Sequence, residues 1–320
     1  MTSMLCRGLA RLSLLLLLPA ALCAQAQDTA SLAPPVPLLW KVSDADSSMY
    51  LLGSFHLLMP QDYPLSSDVD VAFKDAESLT FEIAPQEMFS PSFGLQMGQA
   101  GLRTDGSVLD SELTPATRSL LSHWVATHAE SLARAGMTSD MLQRFKPWFV
   151  GLTISVVQMT EQGLDPKLGL DTHLATEAGK AGKPTGGLET AAQQIAFFDK
   201  MEPGAQVQFL EESLTSADEG PEEARRLHAA WRAGQDDVLW NEMGVQMRQE
   251  YPELYQRVNA ERNKAWLPKI EQQLASPSGQ DGMLVVGALH LLGPDGLVEL
   301  LKAKGYKVER ICSVCGKPAK

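Results

Sequence analysis

Apolar positions near the start of the chain fall into short runs separated by polar turns, a pattern typical of strands. Leu38–Val42 (LLWKV) and Met49–Leu52 (MYLL) flank the polar stretch SDADSS, which predicts a β-hairpin. A short helix over Val69–Glu77 and a strand over Ser78–Ile83 (SLTFEI) follow. This part of the chain therefore predicts a hairpin that leads into a β-α-β unit.

Between about residues 85 and 275 the apolar positions recur mostly at helical spacing. The pattern predicts an amphipathic helix over Leu109–His128, a buried helix over Trp148–Glu161 and further helices over Gly169–Ala181 and Ala260–Leu274. This long stretch of helices separates the first β-α-β unit from the end of the chain and is predicted to form a helical cap.

Strand patterns return once within the helical stretch and again after it. Pro184–Leu188 predicts a short strand that ends at Glu189. Near the end of the chain, Met283–Val286 predicts a strand, Gly296–Lys304 a helix and Lys307–Ile311 a last strand. The order of elements predicts an α/β fold, with a central mixed sheet built from two β-α-β units and a large helical insertion.

A ten-residue pattern occurs once near each end of the chain. MYLLGSFHLL contains Gly53 and His56, and MLVVGALHLL contains Gly287 and His290 at the same offsets. Glycine permits a sharp turn where the chain leaves a strand, and ligand sites cluster at the carboxyl ends of strands in α/β sheets. A single histidine in such a place also fits a structural hydrogen-bonding role. The repetition favours a functional site in which both imidazoles meet.

Metal chemistry suits this pair of histidines better than the other common catalytic arrangements. The sequence has no Gly-x-Ser-x-Gly elbow and no glycine-rich phosphate loop. Two neutral imidazoles together with a carboxylate are typical of a metal site that keeps one position open. Glu82 is the first candidate because it stands among apolar residues at a strand end, where an unpaired carboxylate is costly. Glu189 is the second, and an ordinary strand-end acid is the alternative for both.

Arg262 and Asn263 follow Glu261 in a predicted helix and are further candidates. An arginine here could bind a substrate carboxylate or stabilise an oxyanion. A surface or interdomain salt bridge is the simpler interpretation, and the sequence by itself favours it.

The first 26 residues predict a signal peptide. Arg7 and Arg11 precede an apolar run over Leu12–Leu22, and Ala24-Gln25-Ala26 provides a small-x-small cleavage site. A membrane anchor is the alternative, but the apolar run is shorter than the ~20 residues that a spanning helix needs. We therefore expect an exported protein, periplasmic or secreted, with a flexible leader over residues 27–37 and no transmembrane segment in the mature chain.

Charge argues against one class of function, and the cysteine content favours a structural over a redox role for one pair of residues. The formal net charge is -12 and no run is rich in lysine or arginine, which argues against nucleic-acid binding. Cys312 and Cys315 lie in the stretch CSVC within a C-terminal tail over residues 312–320. In an exported protein, such a pair is a possible structural disulfide, which we favour over a redox-active site.

Eight stretches of the chain resemble the TraB/PrgY/GumN family, and most closely its bacterial GumN-like branch. They are LLWKV, MYLLGSFHLL, LTFEI, KPWFVG, the GLD of residues 169–171, KPTGGLET, ERNKAWLPKI and VVGALHLLGPDGLVELLKAKGYKV. They fall in the order found in the family and span residues 38–311, which predicts a single domain over that range. The resemblance implies the fold shared by erythromycin-esterase-like and haem-binding ChaN-like proteins.

The same resemblance implies a chemistry for the repeated motif. The related TIKI proteins are metal-dependent proteases that use two Gly-x-x-His motifs and acidic residues. Carried over to this chain, the resemblance implies that His56 and His290 bind the metal and that Glu82 is a ligand or a catalytic acid/base. Glu189, Arg262 and Asn263 lie in matching motifs, which makes them candidate catalytic residues.

The sequence thus predicts an exported, peptidase-like hydrolase that depends on a divalent transition metal such as Mn, Co or Zn. Its expected partner is a peptide or protein substrate, with Glu189 as proton acceptor and Arg262 near the oxyanion. The alternative is a non-enzymatic periplasmic protein that binds a metal, a haem-like ligand or a peptide. An esterase acting on a small molecule rests on fold analogy alone.

Overall fold

The computed structural model of the protein describes residues 33–315, except Asp46, Glu219 and residues 276–279. The predicted signal peptide lies outside the described residues. The described part of the chain contains one six-stranded sheet in the order β4-β3-β5-β2-β1-β6. Its strands are β1 (Leu39–Ser43), β2 (Ser48–Ser54), β3 (Ser78–Ile83), β4 (Thr185–Glu189), β5 (Gly282–Gly287) and β6 (Lys307–Arg310).

Helices fill most of the chain between the strands. The α-helices are α1 (Ser67–Asp75), α2 (Pro85–Met88), α3 (Pro91–Gly101), α4 (Pro115–Thr127), α5 (Ala129–Arg134), α6 (Ser139–Leu142), α7 (Pro147–Glu161), α8 (Leu170–Ala181), α9 (Ala191–Asp199), α10 (Pro203–Asp218), α11 (Pro221–Arg232), α12 (Asp236–Leu239), α13 (Gln246–Glu250), α14 (Pro252–Tyr255), α15 (Glu261–Leu274) and α16 (Leu297–Ala303). Short 3-10 turns cover Pro60–Asp62, Leu109–Ser111, Pro166–Leu168 and Ala288–Leu291, and two π-helical turns cover Trp240–Val245 and Gln256–Ala260.

The predicted α/β fold with a helical insertion is confirmed. β1 and β2 form the predicted antiparallel hairpin, and β6 pairs antiparallel with the other side of β1. The strands β2, β5, β3 and β4 are parallel neighbours. Their carboxyl ends therefore meet at one edge of the sheet, as the sequence requires for a shared site.

The two Gly-x-x-His motifs lie on neighbouring strands but one residue out of register. Gly53 pairs with Val286, and Ser54 pairs with Gly287. Paired residues share a face of the sheet and successive residues alternate. Gly53 and Gly287 therefore lie on opposite faces of the sheet. The two motifs, although alike in sequence, leave the sheet in different orientations.

The loop that carries His56 is fixed from several directions. The Trp231 side chain donates from Nε1 to the Gly53 carbonyl oxygen at 3.1 Å. A Cβ added to Gly169 would lie 2.0 Å from the His56 carbonyl oxygen, so the start of α8 can pack this closely only with glycine. Further along the chain, in the 3-10 turn Pro60–Asp62, the fully buried Asp62 accepts hydrogen bonds from His228 Nε2 at 2.8 Å and from Arg232.

The helical part has an apolar core of its own. Helix α7 packs along α10, and Ile154 and Leu210 are buried there among apolar residues of α4 and α5. The predicted helix over Leu109–His128 begins later than expected. Pro115 stands at its first position, where the missing N–H costs nothing, and the Thr114 side chain accepts from the backbone N–H of Thr117.

The ends of the described region are ordered by specific contacts. In the predicted leader, Val36 donates its backbone N–H to the Arg232 carbonyl oxygen at 2.7 Å. At the other end, Cys312 and Cys315 form a disulfide, as the sequence suggested. Among the described residues, no helix combines the length and apolar character required to span a membrane.

Candidate active site

The repeated motif brings both histidines to one carboxylate. His56 Nε2 and His290 Nε2 each lie 3.9 Å from Glu82 Oε1. Glu82 is the fifth residue of β3, between β4 and β5, and its Oε1 accepts the Gly287 backbone N–H at 2.8 Å. His56, Glu82 and His290, which were predicted as site residues at the ends of three different strands, are therefore neighbours.

The Arg262 guanidinium lies at the centre of the charged groups. It donates to Glu82 Oε2 at 2.6 Å and makes a two-point contact with Glu189, at 3.0 Å from Nε and 2.9 Å from Nη2. Its Nη1 lies 3.1 Å from His290 Nε2. The predicted salt bridge exists, but it is buried within the site and does not lie at the surface.

Two further residues hold the charged groups: Trp266 contacts the arginine and Glu189, and Gln194 contacts Glu82. The Trp266 ring lies 4.7 Å from the guanidinium carbon of Arg262 and 4.5 Å from the His290 ring. Its Nε1 donates to Glu189 Oε1 at 2.7 Å. Gln194 donates from Nε2 to Glu82 Oε2 at 3.3 Å. These contacts hold the charged groups in one arrangement.

The two histidines are each held at Nδ1 by a different partner. His290 Nδ1 lies 2.7 Å from Asn263 Oδ1, and the Asn263 amide nitrogen donates to the Asp295 carbonyl oxygen at 2.8 Å. His56 Nδ1 lies 3.1 Å from Asp171 Oδ1. With Nδ1 donating in each case, Nε2 of both rings faces Glu82, an arrangement that metal-binding histidines commonly use.

Asp171 was not selected from the sequence as a site residue. It stands in the first turn of α8, and its Oδ1 also accepts the Ser54 hydroxyl at 2.8 Å. The available signal was its place in the GLD stretch, which carried the family resemblance but no role. A contact between residues 115 positions apart is not visible in the pattern of either segment.

The surroundings drive the two imidazoles toward opposite charge states. Desolvation by the neighbouring protein groups lowers the pKa of His56, although its side chain is 53% exposed, but the charge of Asp171 outweighs this effect and raises the pKa to about 9. Burial lowers the pKa of His290 to about 3, against the opposing charge of Glu82. At neutral pH and without a further ligand, His56 is therefore an imidazolium and His290 is neutral.

Glu82 stays ionised although it is buried. Burial alone raises the pKa of its carboxyl, but Arg262, the two histidines and the Gly287 N–H together hold the pKa well below its usual range. Glu82 and Glu189 in turn raise the pKa of Arg262, against the effect of burial. The site thus contains a carboxylate and a guanidinium that remain charged at all ordinary pH values.

Replacing Asp171 by asparagine is expected to lower the pKa of His56 from about 9 toward its ordinary 6.5, because the charge that raises it is removed. NMR titration of the His56 ring measures this change. Glu177→Gln, at a partly exposed position on the same helix α8, is the control and should leave the pKa unchanged. An unaltered pKa in the Asp171→Asn protein would show that another group controls His56.

Two cavities adjoin the site, and His56, whose side chain is 53% exposed, lines both of them. One, of about 260 Å³, is lined by His290, Arg262 and mainly apolar residues. The other, of about 210 Å³, is lined by Glu82, Asp171 and Gln194. A substrate that reaches into both would be in a position to contact the histidine.

Comparison with known proteins gives one match, to a family model. The model of the TraB/PrgY/gumN family matches residues 38–310, which is most of the chain. No curated protein matches the chain, and no solved structure does.

Proposed function

Because this chain belongs to the TraB/PrgY/gumN family, we propose that it is an exported, peptidase-like hydrolase that uses a divalent metal bound by His56, His290 and Glu82. One observation carries the proposal. Nε2 of both histidines faces Glu82 Oε1, while Asp171 and Asn263 hold the opposite nitrogen of each ring.

The donor atoms are of the kinds that a transition metal binds. Two of them lie beside Gly287, where an added Cβ would be 3.2 Å from His56 Nε2 and 3.3 Å from Glu82 Oε1. Two imidazole nitrogens and one carboxylate oxygen suit Mn, Co or Zn. Within the described ranges, no group of three or more His, Cys, Asp or Glu side chains is preassembled to hold an ion. The support therefore comes from the nature and direction of the donors.

When bound, such an ion would supply Lewis-acid chemistry by polarising a carbonyl group and lowering the pKa of a water molecule. The chain's own residues supply the remaining functions. Glu82, whose pKa is strongly lowered, suits the role of a ligand better than that of a proton acceptor. His56 must release its Nε2 proton before it can act as a ligand, and Asp171 orients it for that role.

Arg262 is placed to stabilise negative charge that develops on the substrate. Its Nη1 contacts His290 Nε2 and the Val258 carbonyl oxygen but neither carboxylate, and Arg262 lines the larger cavity. If His290 Nε2 held a metal, the Nη1 N–H that is directed at it would become available to an oxyanion at the edge of the apolar cavity. Glu189 and Trp266 hold the arginine in place, and the proposal that Glu189 also accepts a proton stays a prediction.

A second candidate is a non-enzymatic binding protein that uses the same site. One observation favours it: Arg262 already neutralises Glu82 and Glu189 and occupies His290 Nε2, so the charged groups satisfy one another. Such a site could bind a metal, a haem-like ligand or a peptide without turnover.

Metal analysis combined with a peptide-cleavage assay separates the two candidates. The protein loaded with Mn, Co or Zn is expected to retain a single ion per chain and to cleave members of a peptide library. A chelator should stop cleavage, and the added metal should restore it. His123→Gln, at an exposed position on α4, is the matched control and should behave like the wild type. Cleavage at the full rate in metal-free protein would refute metal dependence, whereas a bound visible chromophore without cleavage would support the second candidate.

A further inference from the structure

The larger cavity beside His290 and Arg262 has an apolar wall. Phe55, Met159, Leu239, Met243 and Leu289 are among its lining residues. Its volume of about 260 Å³ falls just below the range of about 300–1,000 Å³ that is usual for drug-sized ligands. A cavity of this size and polarity suits one large apolar side chain of a longer substrate.

One polar side chain in this wall has no protein partner. Asn259 is 1% exposed, lines the cavity, and neither its amide oxygen nor its amide nitrogen makes a hydrogen bond. Burial raises the pKa of Tyr255 to about 12, and the neighbouring Asn259 amide opposes that shift. No pair of atoms from these two residues has hydrogen-bond geometry, however, and the Tyr255 hydroxyl donates to Asp295 at 3.2 Å.

The backbone around Asn259 is also unusual. Asn259 lies in the π-helical turn Gln256–Ala260, three residues before Arg262, and the turn Trp240–Val245 supplies Met243 to the same cavity. π-helical turns are rare and are frequently found at functional sites. Because buried polar groups are nearly always paired, the unpaired amide of a residue that lines a cavity points to a ligand that completes it.

We propose that Asn259 binds a main-chain amide of a peptide substrate, and that the cavity selects a long apolar side chain on the same substrate residue. The amide of asparagine offers one acceptor oxygen and an N–H donor, which match the N–H and C=O groups of a peptide backbone. A carboxylate would pair with the nitrogen alone, and a cation with the oxygen alone. This assignment rests on the proposed hydrolase and adds a substrate class: peptides with leucine, methionine or a similar residue beside the cleaved bond.

The preference of the cavity for an apolar side chain can be tested with short blocked peptides that differ at one position only. That position is leucine, methionine, glycine or glutamate. The wild type is expected to cleave the leucine and methionine peptides with the higher kcat/KM. Asn259→Leu removes both hydrogen bonds and should lower kcat/KM for these peptides by about 10- to 100-fold. Asn241→Leu, at an exposed position in the other π-helical turn, is the control and should match the wild type.

A stability measurement distinguishes substrate binding from a structural role. Since Asn259 has no partner to lose, Asn259→Leu is expected to leave the melting temperature unchanged or raise it. A melting temperature several degrees lower, full activity of Asn259→Leu, or equal cleavage of the leucine and glutamate peptides would overturn the assignment.

A binding experiment keeps this test separate from that of the hydrolase. If the wild type cleaves no peptide, the proposed function fails. NMR titration with the same blocked peptides then shows whether peptide binding depends on Asn259. Binding of the leucine peptide to the wild type but not to Asn259→Leu supports the assignment. Equal binding to both proteins, or to neither, refutes it.

Discussion

His290→Gln is expected to lower kcat/KM for peptide cleavage at least about a thousandfold, which corresponds to ~4 kcal/mol of transition-state stabilisation. Glutamine keeps a polar side chain of similar reach but has no imidazole nitrogen to direct at the position shared with Glu82 and His56. Steady-state kinetics and the metal content of the same samples measure the effect.

The corresponding His56→Gln protein should lose activity to a similar degree while retaining its stability. The His56 side chain is half exposed, whereas His290 is buried between Asn263 and Arg262. His123→Gln serves again as the control. Activity within a few fold of the wild type in either site variant would mean that the repeated motif does not perform the chemistry.

Arg262→Met is expected to reduce the free energy of unfolding by about 3–5 kcal/mol, because it leaves two buried carboxylates without their counter-charge. The side chains of Arg262, Glu82 and Glu189 are only 10%, 11% and 5% exposed, so solvent screens their interaction little. The loss should exceed that from Arg225→Met, which breaks an exposed pair with Glu222 and is worth at most about 1 kcal/mol.

The loss of stability in Arg262→Met should depend on pH through the ionisation of Glu82. In the wild type the pKa of Glu82 is lowered, so its contribution to stability is present above the unfolded pKa and is lost as the pH falls through the folded pKa. Without Arg262, burial raises that pKa, and ionisation of Glu82 then opposes folding as the pH rises. Urea unfolding from pH 4 to 7 should therefore show a difference between the two proteins that grows with pH.

A compensated variant checks the cause of that loss. Adding Glu82→Gln and Glu189→Gln to Arg262→Met removes the stranded charges and should restore part of the lost stability without restoring activity. If the triple variant is no more stable than Arg262→Met, packing around the arginine, and not charge, accounts for the loss.

The sequence was sufficient for the fold because apolar periodicity and turn residues agree in most segments. LLWKV, MYLL and SLTFEI became strands β1, β2 and β3, and the structure shows β2, which carries the first motif, paired in parallel with β5, which carries the second. The helix expected to begin at Leu109 begins at Pro115 instead. Apolar spacing alone does not distinguish a 3-10 turn from the first turn of a helix.

The site was only partly predictable. His56, His290 and Glu82 could be selected because glycine, histidine and a buried acid stand at strand ends. Asp171 and Asn259 could not, because their roles depend on contacts and on a π-helical turn that no local pattern encodes. Arg262 was expected to form a salt bridge at a surface or between domains. It forms the bridge inside the site, because the face of α15 that carries Arg262 and Trp266 is buried, and sequence spacing alone does not reveal what that face packs against.

The pairing of β2 with β5 also limits when the site can exist. It joins segments about as far apart as Ser48 and Asp281, which hydrogen-bond across 233 positions of sequence. Contacts of such high sequence separation form late and slow folding, because a long loop must close first. A chain still emerging from the ribosome has His56 and Glu82 long before it has β5 and His290. His56 and Glu82 can therefore meet His290 only after β5 is made, and a chain that ends before β5 cannot assemble the site.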